Sequence, residues 1–355
     1  MSPPRITPIG SKQSYISHWR DEPVSILQSG RTLALTGTDS HARQEWYWDA
    51  ATGRLSACPQ ADHDSLLMVL EALFSWNPTL TEIVLEGHAD LRMSLLERGT
   101  AQQDVQGVVH IPAARFWQLD TLWLTPEPAQ APPSPKPSQS TAGKQALQHP
   151  HRPEKRHGTL YRRYIPWLGQ TLSLRSLQRS QDLVDFHRWM HHPQVSEFWQ
   201  QADSLEVLDS YLRELEADPH CQPVIGCFDN VPFAYFELYW AKEDRLSAHY
   251  DAEDYDRGWH LLVGEDSYRG RPWFSAWFPS LQHYLFLDDP RTQRIVAEPR
   301  HDNHRLIRHA HRTGFNTLKT FDFPHKRAQL LLLSRERFFQ DNRIQPAPAR
   351  GEPTG

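Results

Sequence analysis

The sequence has very few cysteines, with Cys58, Cys221 and Cys227 in 355 residues. Three scattered thiols are too few for a disulfide framework or a zinc site of four thiolates, and they suit a protein of the reducing cytoplasm. Long apolar runs are missing as well, since none approaches the roughly 20 residues that span a membrane, and the first residues lack the apolar segment of an export signal. We therefore predict a cytoplasmic protein with no membrane partner.

An excess of positive charge is also missing. The chain carries 38 lysine and arginine residues against 43 aspartate and glutamate residues, a formal net charge of −5. This balance gives no general attraction to nucleic acid, and no basic stripe interleaved with aromatic residues indicates a nucleic-acid module. Any anion-binding site must therefore be local.

Several catalytic signatures are absent. The sequence has no Gly-x-Ser-x-Gly elbow, which argues against a serine hydrolase, and no Walker or Rossmann phosphate loop, which argues against kinases and dehydrogenases. His187 and His191 have the spacing that places two imidazoles on one helix face, but the zinc-protease glutamate and an evident third ligand are missing. We therefore predict no metal.

Composition divides the chain into two domains. Residues 125–158 are rich in proline, serine, glutamine and lysine and contain almost nothing large and apolar, which is typical of a linker. They separate a domain at 1–124 from a larger one at 159–340. The proline-rich residues 341–355 are predicted to form a disordered tail.

The residues before the linker predict a small α/β domain. Helical patterns at 65–76 and 90–98 alternate with strand patterns at 82–86 and 108–111. No motif in this domain indicates chemistry. We interpret it as an auxiliary or dimerising domain, and a homodimer remains open.

The second domain also alternates between strand and helix patterns. Strands are predicted at 171–174, 223–228, 232–239, 258–263, 295–298, 317–323 and 329–333, and helices at 182–191, 204–216, after 271 and after 303. Asp229-Asn230 has the composition of a tight hairpin turn between two of these strands. The pattern predicts an α/β fold.

His260 lies at the centre of the predicted strand 258–263, on the same face as Leu262. A histidine at the centre of a sheet is costly to bury unless it is hydrogen-bonded or used. A neutral imidazole is well suited to remove a proton from a weak nucleophile near neutral pH. His260 is therefore a candidate general base, and the alternative is a hydrogen-bonded core histidine.

A basic turn follows that strand and precedes an aromatic-rich helix. In Arg269-Gly270-Arg271, a strand-to-helix turn can present backbone N–H groups and a helix dipole to phosphates, and two arginines add charge. Arg-Gly-Arg is also common on protein surfaces. Its position after a candidate catalytic strand favours a phosphate site.

Two carboxylates lie at the end of the next predicted strand. Glu298 and Asp302 are expected at the carboxyl edge of the sheet, where ligands of open α/β sheets gather. Asp302 or Asn303 is equally suited to cap the following helix. Asp302 is thus a candidate for catalysis or for capping.

Eight motifs in this domain match one family in order and spacing. They are Tyr-Arg-Arg-Tyr (161–164), Arg-Trp-Met (188–190), Phe-Trp (198–199), Ile-Gly-Cys-Phe-Asp (225–229), Tyr-Trp-Ala-Lys-Glu-Asp-Arg (239–245), His-Leu-Leu-Val-Gly-Glu (260–265), Arg-Thr-Gln-Arg-Ile-Val-Ala-Glu-Pro-Arg (291–300) and Phe-Asp-Phe-Pro-His-Lys-Arg (321–327). The segment closely resembles the hydroxamate-siderophore acyltransferases of the aerobactin, alcaligin and desferrioxamine pathways, members of the GCN5-related N-acetyltransferase (GNAT) superfamily. The N-terminal domain resembles the extra domain of the aerobactin branch more weakly.

The resemblance implies a mixed central sheet flanked by helices, with a smaller N-terminal α/β domain. It also implies transfer of an acyl group, acetyl or succinyl, from its coenzyme A thioester to the hydroxylated nitrogen of hydroxylysine, hydroxycadaverine or hydroxyputrescine. The product is a hydroxamate, as siderophore biosynthesis requires. The family's catalytic histidine falls on His260, and its carboxylate falls on Asp302 or Glu298.

The resemblance also assigns binding roles. The acyl-CoA thioester oxygen would be held by a backbone N–H near Leu262 or Val263, and Asn303 matches the residue that contacts the pantetheine arm. The usual later glycines of the pyrophosphate loop are replaced by Pro272 and Phe274, so the approach of the phosphates must differ or Arg271 must compensate.

Two further roles are left open by the sequence. The usual tyrosine acid of the superfamily falls on Ala310, so the departing thiolate needs another proton donor or water. Trp189, Trp199 and Trp240 could wall a slot for the aliphatic acceptor, and they are equally suited to the core.

Two other functions stay open. An N-acyltransferase acting on an ordinary amine, such as an aminoglycoside or polyamine, would be favoured by acidic residues lining the acceptor slot. A non-catalytic CoA-binding scaffold subunit would be favoured if His260 proved dispensable.

Overall fold

The structure, a computed structural model, describes residues 12–37, 44–125, 137–140 and 147–346. No helix among these residues is long and apolar enough to cross a membrane. The remaining parts of the predicted linker and tail lie outside the described residues, at 126–136, 141–146 and 347–355.

The chain divides into two compact units. The first comprises Met1–Thr125, Arg163–Thr171 and Phe339–Gly355, and the second comprises Pro126–Arg162 and Leu172–Phe338. This division groups the turn near residue 167 and the C-terminal residues with the first unit, whereas the sequence boundaries at 124, 158 and 340 were drawn from composition alone.

The first unit contains a mixed sheet. Its strands are β1 (Gln13–Trp19), β2 (Glu22–Ser29), β3 (Thr32–Thr36), β4 (Gln44–Asp49), β5 (Arg54–Ser56), β6 (Glu82–Glu86), β7 (Gln102–Gln103) and β8 (Val109–Pro112). Strands β1 to β5 form an antiparallel meander. Strand β5 then pairs in parallel with β6, and β8 pairs antiparallel with both β6 and β7.

The helices of this unit are α1 (His63–Trp76), α2 (Ala89–Glu97) and α3 (Ala113–Phe116). Helix α1 connects β5 to β6 and is buried along almost its whole length. Its Glu71 carboxylate accepts hydrogen bonds from Tyr15 (3.0 Å), Ser17 (2.5 Å) and Trp123 (2.8 Å). Burial raises the pKa of Glu71 to about 7 in spite of these donors.

The second sheet contains more residues than the first, and its strands have a similar arrangement. After the hairpin β9 (Pro137–Ser140) and β10 (Leu147–Pro150), its strands are β11 (Thr159–Ile165), β12 (Gln170–Ser176), β13 (Cys221–Phe228), β14 (Val231–Trp240), β15 (Arg257–Val263), β16 (Arg294–Ala297), β17 (Asn316–Asp322) and β18 (Arg327–Ser334). Their order in space is β11-β12-β13-β14-β15-β16-β18-β17.

Helices cover this sheet. They are α4 (Arg179–Met190), α5 (Pro193–Trp199), α6 (Leu205–Ala217), α7 (Arg271–Asp288), α8 (His304–Arg312) and α9 (Arg335–Gln340). The predicted turn Asp229-Asn230 joins β13 to β14 with φ angles of 47° and 66°, the left-handed pair that a two-residue hairpin of the right twist requires. The predicted α/β fold with a mixed sheet and a second α/β domain is confirmed.

The two sheets share one topology. In each sheet, the first five strands lie side by side in chain order, and the fifth pairs in parallel with the sixth. The eighth strand lies between the sixth and the seventh. In each, one helix links the fifth strand to the sixth, α1 or α7, and another follows the sixth, α2 or α8. Helices α4 to α6 are inserted between the second and third strands of the second sheet only.

The sequence analysis missed β1 to β5. In β1, Ser17 points inward with Tyr15 and is fully buried, which interrupts the apolar alternation that marks a half-buried strand. The inward serine is tolerated because its hydroxyl is bonded to Glu71. A polar contact from another element therefore hid this strand from a pattern search.

Part of the predicted disordered tail packs in the first unit. Ile344 and Gln345 are buried. Arg163 Nη1 donates to the Ile344 carbonyl at 3.1 Å, and Gln345 Nε2 donates to the Phe74 carbonyl at 3.3 Å. These contacts differ from the expectation for residues 341–346, and the rest of the tail is outside the described residues.

Candidate active site

The second sheet opens between β15 and β16. Both strands lie wholly within the described residues. Their parallel pairing consists of two residue pairs, Arg257 with Ile295 and Gly258 with Val296. Strand β15 continues to Val263 and stays paired with β14 up to that residue. The two parallel strands therefore diverge after Gly258 and leave a cleft between them.

His260 and Glu298 face each other across this cleft. His260 Nε2 lies 2.9 Å from Glu298 Oε1, and His260 Nδ1 lies 2.9 Å from Glu237 Oε2. Glu298 directly follows β16, and Glu237 is the cross-strand partner of His260 on β14. Ionised carboxylates only accept hydrogen bonds, so both ring nitrogens donate and His260 is an imidazolium.

The electrostatics of the cluster agree with this assignment. Burial by itself would lower the pKa of His260, but Glu298 and Glu237 outweigh it and raise the pKa above its usual range. Burial would raise the pKa of Glu298, but His260 and Lys326 lower it. At neutral pH His260 is therefore an imidazolium beside the ionised Glu298 carboxylate, whereas the sequence led us to expect a neutral base.

Neighbouring side chains fix both carboxylates. Lys326 Nζ lies 3.5 Å from Glu298 Oε1, and Tyr239 Oη donates to Glu298 Oε2 at 2.9 Å. A Cβ atom on Gly258 would lie 2.2 Å from the Tyr239 ring, so the close approach of this ring requires glycine. The donors to Glu237 Oε1 are Tyr211 (2.5 Å) and Tyr235 (3.0 Å).

A cavity of about 1160 Å³ includes this cluster. Asp302 and Asn303 also line it, but Asp302 is exposed and paired with Arg300, at 2.6 and 3.0 Å. Asn303 Oδ1 accepts from the Leu306 N–H at 3.1 Å and caps α8. Of the two carboxylates considered as partners of His260, Glu298 is therefore the one in contact with it.

The basic turn begins α7. Gly270 is the N-cap residue, with φ of 99°, a backbone conformation that favours glycine. Arg269 points back into the protein, where it donates to the Val263 carbonyl at 2.6 Å and pairs with Asp266 at 2.7 Å. Arg269 therefore supports the turn, while Arg271 is exposed at the first position of the helix.

Three exposed arginines lie on α7 and α8. They are Arg271, Arg305 and Arg308, and no carboxylate oxygen of the described residues lies within 4.0 Å of their guanidinium groups. The ring of His309 on α8 contacts Phe274 in the first turn of α7, with 4.6 Å between centroids, which brings the two helices together. A helix N-terminus with uncompensated arginines is suited to bind phosphates.

Comparison with known proteins identifies the family. Residues 178–323 match the acetyltransferase (GNAT) domain. The chain is 38% identical over 313 residues to the N(6)-hydroxylysine O-acetyltransferase of Escherichia coli, covering 86% of this chain and 91% of that protein. The chain belongs to this acyltransferase family.

Two further relatives cover shorter parts. The chain is 45% identical over 196 residues to the N(5)-hydroxyornithine:cis-anhydromevalonyl coenzyme A-N(5)-transacylase of Beauveria bassiana, covering 54% of this chain and 43% of that protein. An uncharacterized protein of Bacillus halodurans, known from its crystal structure, is 27% identical with a TM-score of 0.50, covering 54% of this chain and 98% of its own. Both likenesses agree with a GNAT fold.

The three predicted slot residues of the acyltransferase lie in different places. Trp199 lines the cavity, and its Nε1 donates to the Leu261 carbonyl at 3.2 Å. Trp189 lies in the core cluster together with Leu262, and its Nε1 donates to Glu265 at 2.9 Å. The Leu262 side chain is thus part of the core.

Trp240 lines the cavity but is nearly covered. The guanidinium groups of Arg152 and Arg257 each lie 4.2 Å from its ring centroid. These two contacts make Trp240 a wall residue fixed from behind, since stacked cations hold the ring in place.

A separate cluster of His149, His220 and Glu243 places three potential metal ligands within 4.8 Å of one another. Arg152 donates to both Glu243 oxygens, at 2.5 and 2.8 Å. A guanidinium in this position already neutralises the carboxylate and repels a second cation. We interpret the cluster as a buried ion pair that holds residues 149–152 of the predicted linker against the rest of the second unit.

Sequence reasoning missed several residues of the site. Glu237 carries a signal that could have found it, because it is one charged residue within the apolar strand β14. Asp244 lies at the cavity wall, where burial and Glu298 raise its pKa. Lys326 and the α8 arginines carry no comparable signal, because their loop and helix reach the site only in the folded chain.

Proposed function

We propose that the protein transfers a short acyl group, acetyl or succinyl, from its coenzyme A thioester to the hydroxylated nitrogen of an N-hydroxylated lysine or diamine. The product is a hydroxamate of the kind used in siderophores. The observation that carries the proposal is the Glu237–His260–Glu298 cluster in the cleft of the splayed strands. The similarity to a hydroxylysine acetyltransferase supports the choice of acceptor.

The acyl-CoA would occupy the cleft and the start of α7. Leu262 and Val263 directly follow Leu261, which lines the cavity, and an N–H group at these positions would hold the thioester oxygen. Gly270 and Arg271 at the helix start would bind the pyrophosphate, with Arg305 and Arg308 adding charge from α8. Asn303 lines the cavity at the start of α8, where it would meet the pantetheine arm.

Glu298 is the proton acceptor in this proposal. As the acceptor nitrogen attacks the thioester carbon, a C–N bond forms and the nitrogen must lose a proton. The hydroxylamine is already neutral near pH 7, so a weak base suffices. Both His260 nitrogens carry protons, and the ionised Glu298 carboxylate beside them takes this role.

His260 supplies the proton that the leaving group needs. When the C–S bond breaks, the sulfur leaves as a thiolate, and an imidazolium is a suitable acid for it. The proton received by Glu298 then passes to His260 along their 2.9 Å hydrogen bond, which restores the resting state. This assignment supplies the donor that Ala310, at the usual tyrosine position, cannot provide.

Thiol release tests the proposal. Acetyl-CoA and succinyl-CoA would be offered with N6-hydroxylysine, N-hydroxycadaverine and N-hydroxyputrescine and with the corresponding plain amines. We expect turnover of hydroxylated acceptors only, and its loss in His260→Gln. Equal turnover of the plain amines would replace the proposal with a general N-acyltransferase.

One observation favours that second function. The cavity walls include Glu237, Glu243, Asp244 and Glu298, and carboxylates attract a cationic amine. Failure of every acceptor, with acyl-CoA binding retained, would instead favour a CoA-binding scaffold. Sedimentation would measure separately whether the protein forms a homodimer.

A further inference from the structure

One carboxylate of the cavity differs from the others in having no cationic partner. Six carboxylates of the described residues line this cavity, namely Asp218, Glu237, Glu243, Asp244, Glu298 and Asp302. Five of them have a histidine, lysine or arginine nitrogen within 4.0 Å. Among the described residues, no such nitrogen lies within 4.0 Å of Asp244. Asp244 can therefore pair with a cation of a ligand without breaking a pair that the protein already makes.

The Asp244 carboxylate is nevertheless held in place. Asp244 is half-buried and begins the 3₁₀ helix Arg245–His249, where its Oδ1 accepts from the Leu246 N–H at 2.8 Å. Its Oδ2 has no hydrogen-bond partner among the described residues. The adjacent Arg245 is exposed, and its guanidinium lies over the Phe323 ring, 5.2 Å from the centroid. One oxygen of Asp244 thus fixes the side chain, and the other can accept a hydrogen bond from a ligand.

Asp244 and the basic turn lie at opposite ends of β15. The loop that contains Asp244 follows β14 at Trp240, which pairs with Arg257 at the start of β15. The basic turn comes after the other end of β15, at Val263. Arg257 and His260 are about 10 Å apart along the strand, at a rise of about 3.3 Å per residue. An acceptor whose nitrogen meets the thioester at His260 can therefore extend away from the proposed phosphate site, toward Asp244.

The surroundings of Asp244 disfavour its ionised form. Burial and then the charge of Glu298 raise the pKa of Asp244, and the opposing effect of His260 is smaller. His260 and Lys326 are themselves engaged by Glu298, at 2.9 and 3.5 Å. A cation from a ligand would stabilise the ionised carboxylate. The reacting hydroxylamine is neutral near pH 7 and does not supply this cation, so a second nitrogen of the acceptor has to do so.

We propose that Asp244 binds the second, non-reacting ammonium group of the acceptor and thereby directs the hydroxylamine at the other end of the chain toward Glu298. This assignment rests on the proposed hydroxamate-forming function and names a binding residue of the same site. The ammonium group is common to hydroxylysine and the hydroxylated diamines, so Asp244 does not choose between them. It favours all of them over a simple alkylhydroxylamine.

The test uses acceptors that differ only in the second amino group. N-hydroxycadaverine would be compared with N-pentylhydroxylamine, and N6-hydroxylysine with 6-(hydroxyamino)hexanoic acid, by thiol release from the better of acetyl-CoA and succinyl-CoA. The wild type should favour the ammonium-bearing member of the better pair by about 10- to 100-fold in kcat/KM, the worth of a charge-assisted hydrogen bond. In Asp244→Asn this preference should vanish through a raised KM for the ammonium-bearing acceptors, with the acceptors that lack the ammonium unaffected.

The choice of variants separates charge from structure. In Asp244→Asn the amide oxygen can still accept from the Leu246 N–H, so the charge is removed and the cap is kept. Asp244→Glu restores the charge on a longer side chain and should recover part of the preference. Asp218→Asn removes another carboxylate of the cavity wall, one that pairs with His220 at 3.2 Å, and it should keep the wild-type preference. Circular dichroism would establish that each variant is folded.

Four results would overturn the assignment. They are a wild type indifferent to the second amino group, an unchanged preference in Asp244→Asn, an equal loss for both members of each pair, and the same loss of preference in Asp218→Asn. These results leave hydroxamate formation intact, because hydroxylated acceptors still turn over. Failure of all four acceptors would instead refute the proposed function, and the assignment of Asp244 with it.

Discussion

The two sheets of this protein follow one strand order, but their fifth and sixth strands end differently. In the first, β5 stops after three residues, all paired with β6, and Ser56 Oγ donates to Glu86 at 3.1 Å beside that pairing. In the second, pairing stops at Gly258 while β15 continues, and His260 meets Glu298 across the gap. The cleft therefore forms where β15 extends beyond its pairing with β16, whereas β5 does not extend beyond its pairing with β6.

The helices that follow differ in charge. Helix α1 begins at a carboxylate, because Asp62 accepts from the Ser65 N–H at 2.8 Å, and Asp64 lies in the first turn. Helix α7 begins at Gly270 and Arg271. A capping carboxylate occupies the N–H groups and repels phosphate, whereas glycine and arginine leave them open. One topology therefore has a helix start closed by a capping carboxylate in the first unit and a helix start with no side-chain cap in the second.

The largest effect should come from the carboxylate of the cleft. Glu298→Gln removes the proposed proton acceptor and should lower kcat by about 10²- to 10⁴-fold, the usual contribution of such a group. Stopped-flow or steady-state thiol release would measure it. Glu86→Gln, in the paired end of β6, is the matched control and should keep wild-type kcat. Equal losses in both variants would contradict a cleft-specific role.

The next effect concerns stability and pH in the first unit. Glu71 has a folded pKa of about 7 against 4.5 for the free group. An unfolded chain releases this proton at lower pH than the folded one, so stability should fall by about 3 kcal/mol as pH rises from 4.5 to 7. Amide protection factors along α1, measured by hydrogen exchange at several pH values, should follow this slope. Glu71→Gln should flatten it, and a flat wild-type profile would refute the raised pKa.

The smallest effect concerns the helix starts. Arg271→Gln and Arg305→Gln should each raise the KM for acetyl-CoA by about 3- to 10-fold with little change in kcat, and added salt should shrink the difference. Asp62→Ala in the first unit should leave this KM unchanged and cost about 1 kcal/mol of stability through the lost cap. A changed KM in Asp62→Ala would show that the first unit takes part in cofactor binding.

Much of the second unit could be predicted because its signals are local. Apolar alternation located β13 to β16, and the Asp229-Asn230 pair located a hairpin. The two motifs that contain His260 and Glu298 were found in the sequence, but Asp302, the alternative to Glu298, was excluded from direct contact only by its pairing with Arg300. Two carboxylates four residues apart look equally suitable until their directions are known.

The missed features depend on contacts between distant segments. Ser17 is an inward-facing residue only because its hydroxyl bonds to Glu71, and Lys326 lies beside Glu298 only because the chain folds. Neither fact has a local pattern. Sequence periodicity reports how a segment is buried, whereas the partner of a buried polar group is chosen by the fold.

The sequence by itself determined the family, the α/β class and the positions of the candidate histidine His260 and the basic turn, because these depend on residue identity and short-range spacing. The tertiary structure decided the charge of that histidine. Two carboxylates from β14 and the end of β16 meet its ring at 2.9 Å and hold both of its protons. A pKa is set by the charges and burial around a group, and those neighbours are brought together only by folding.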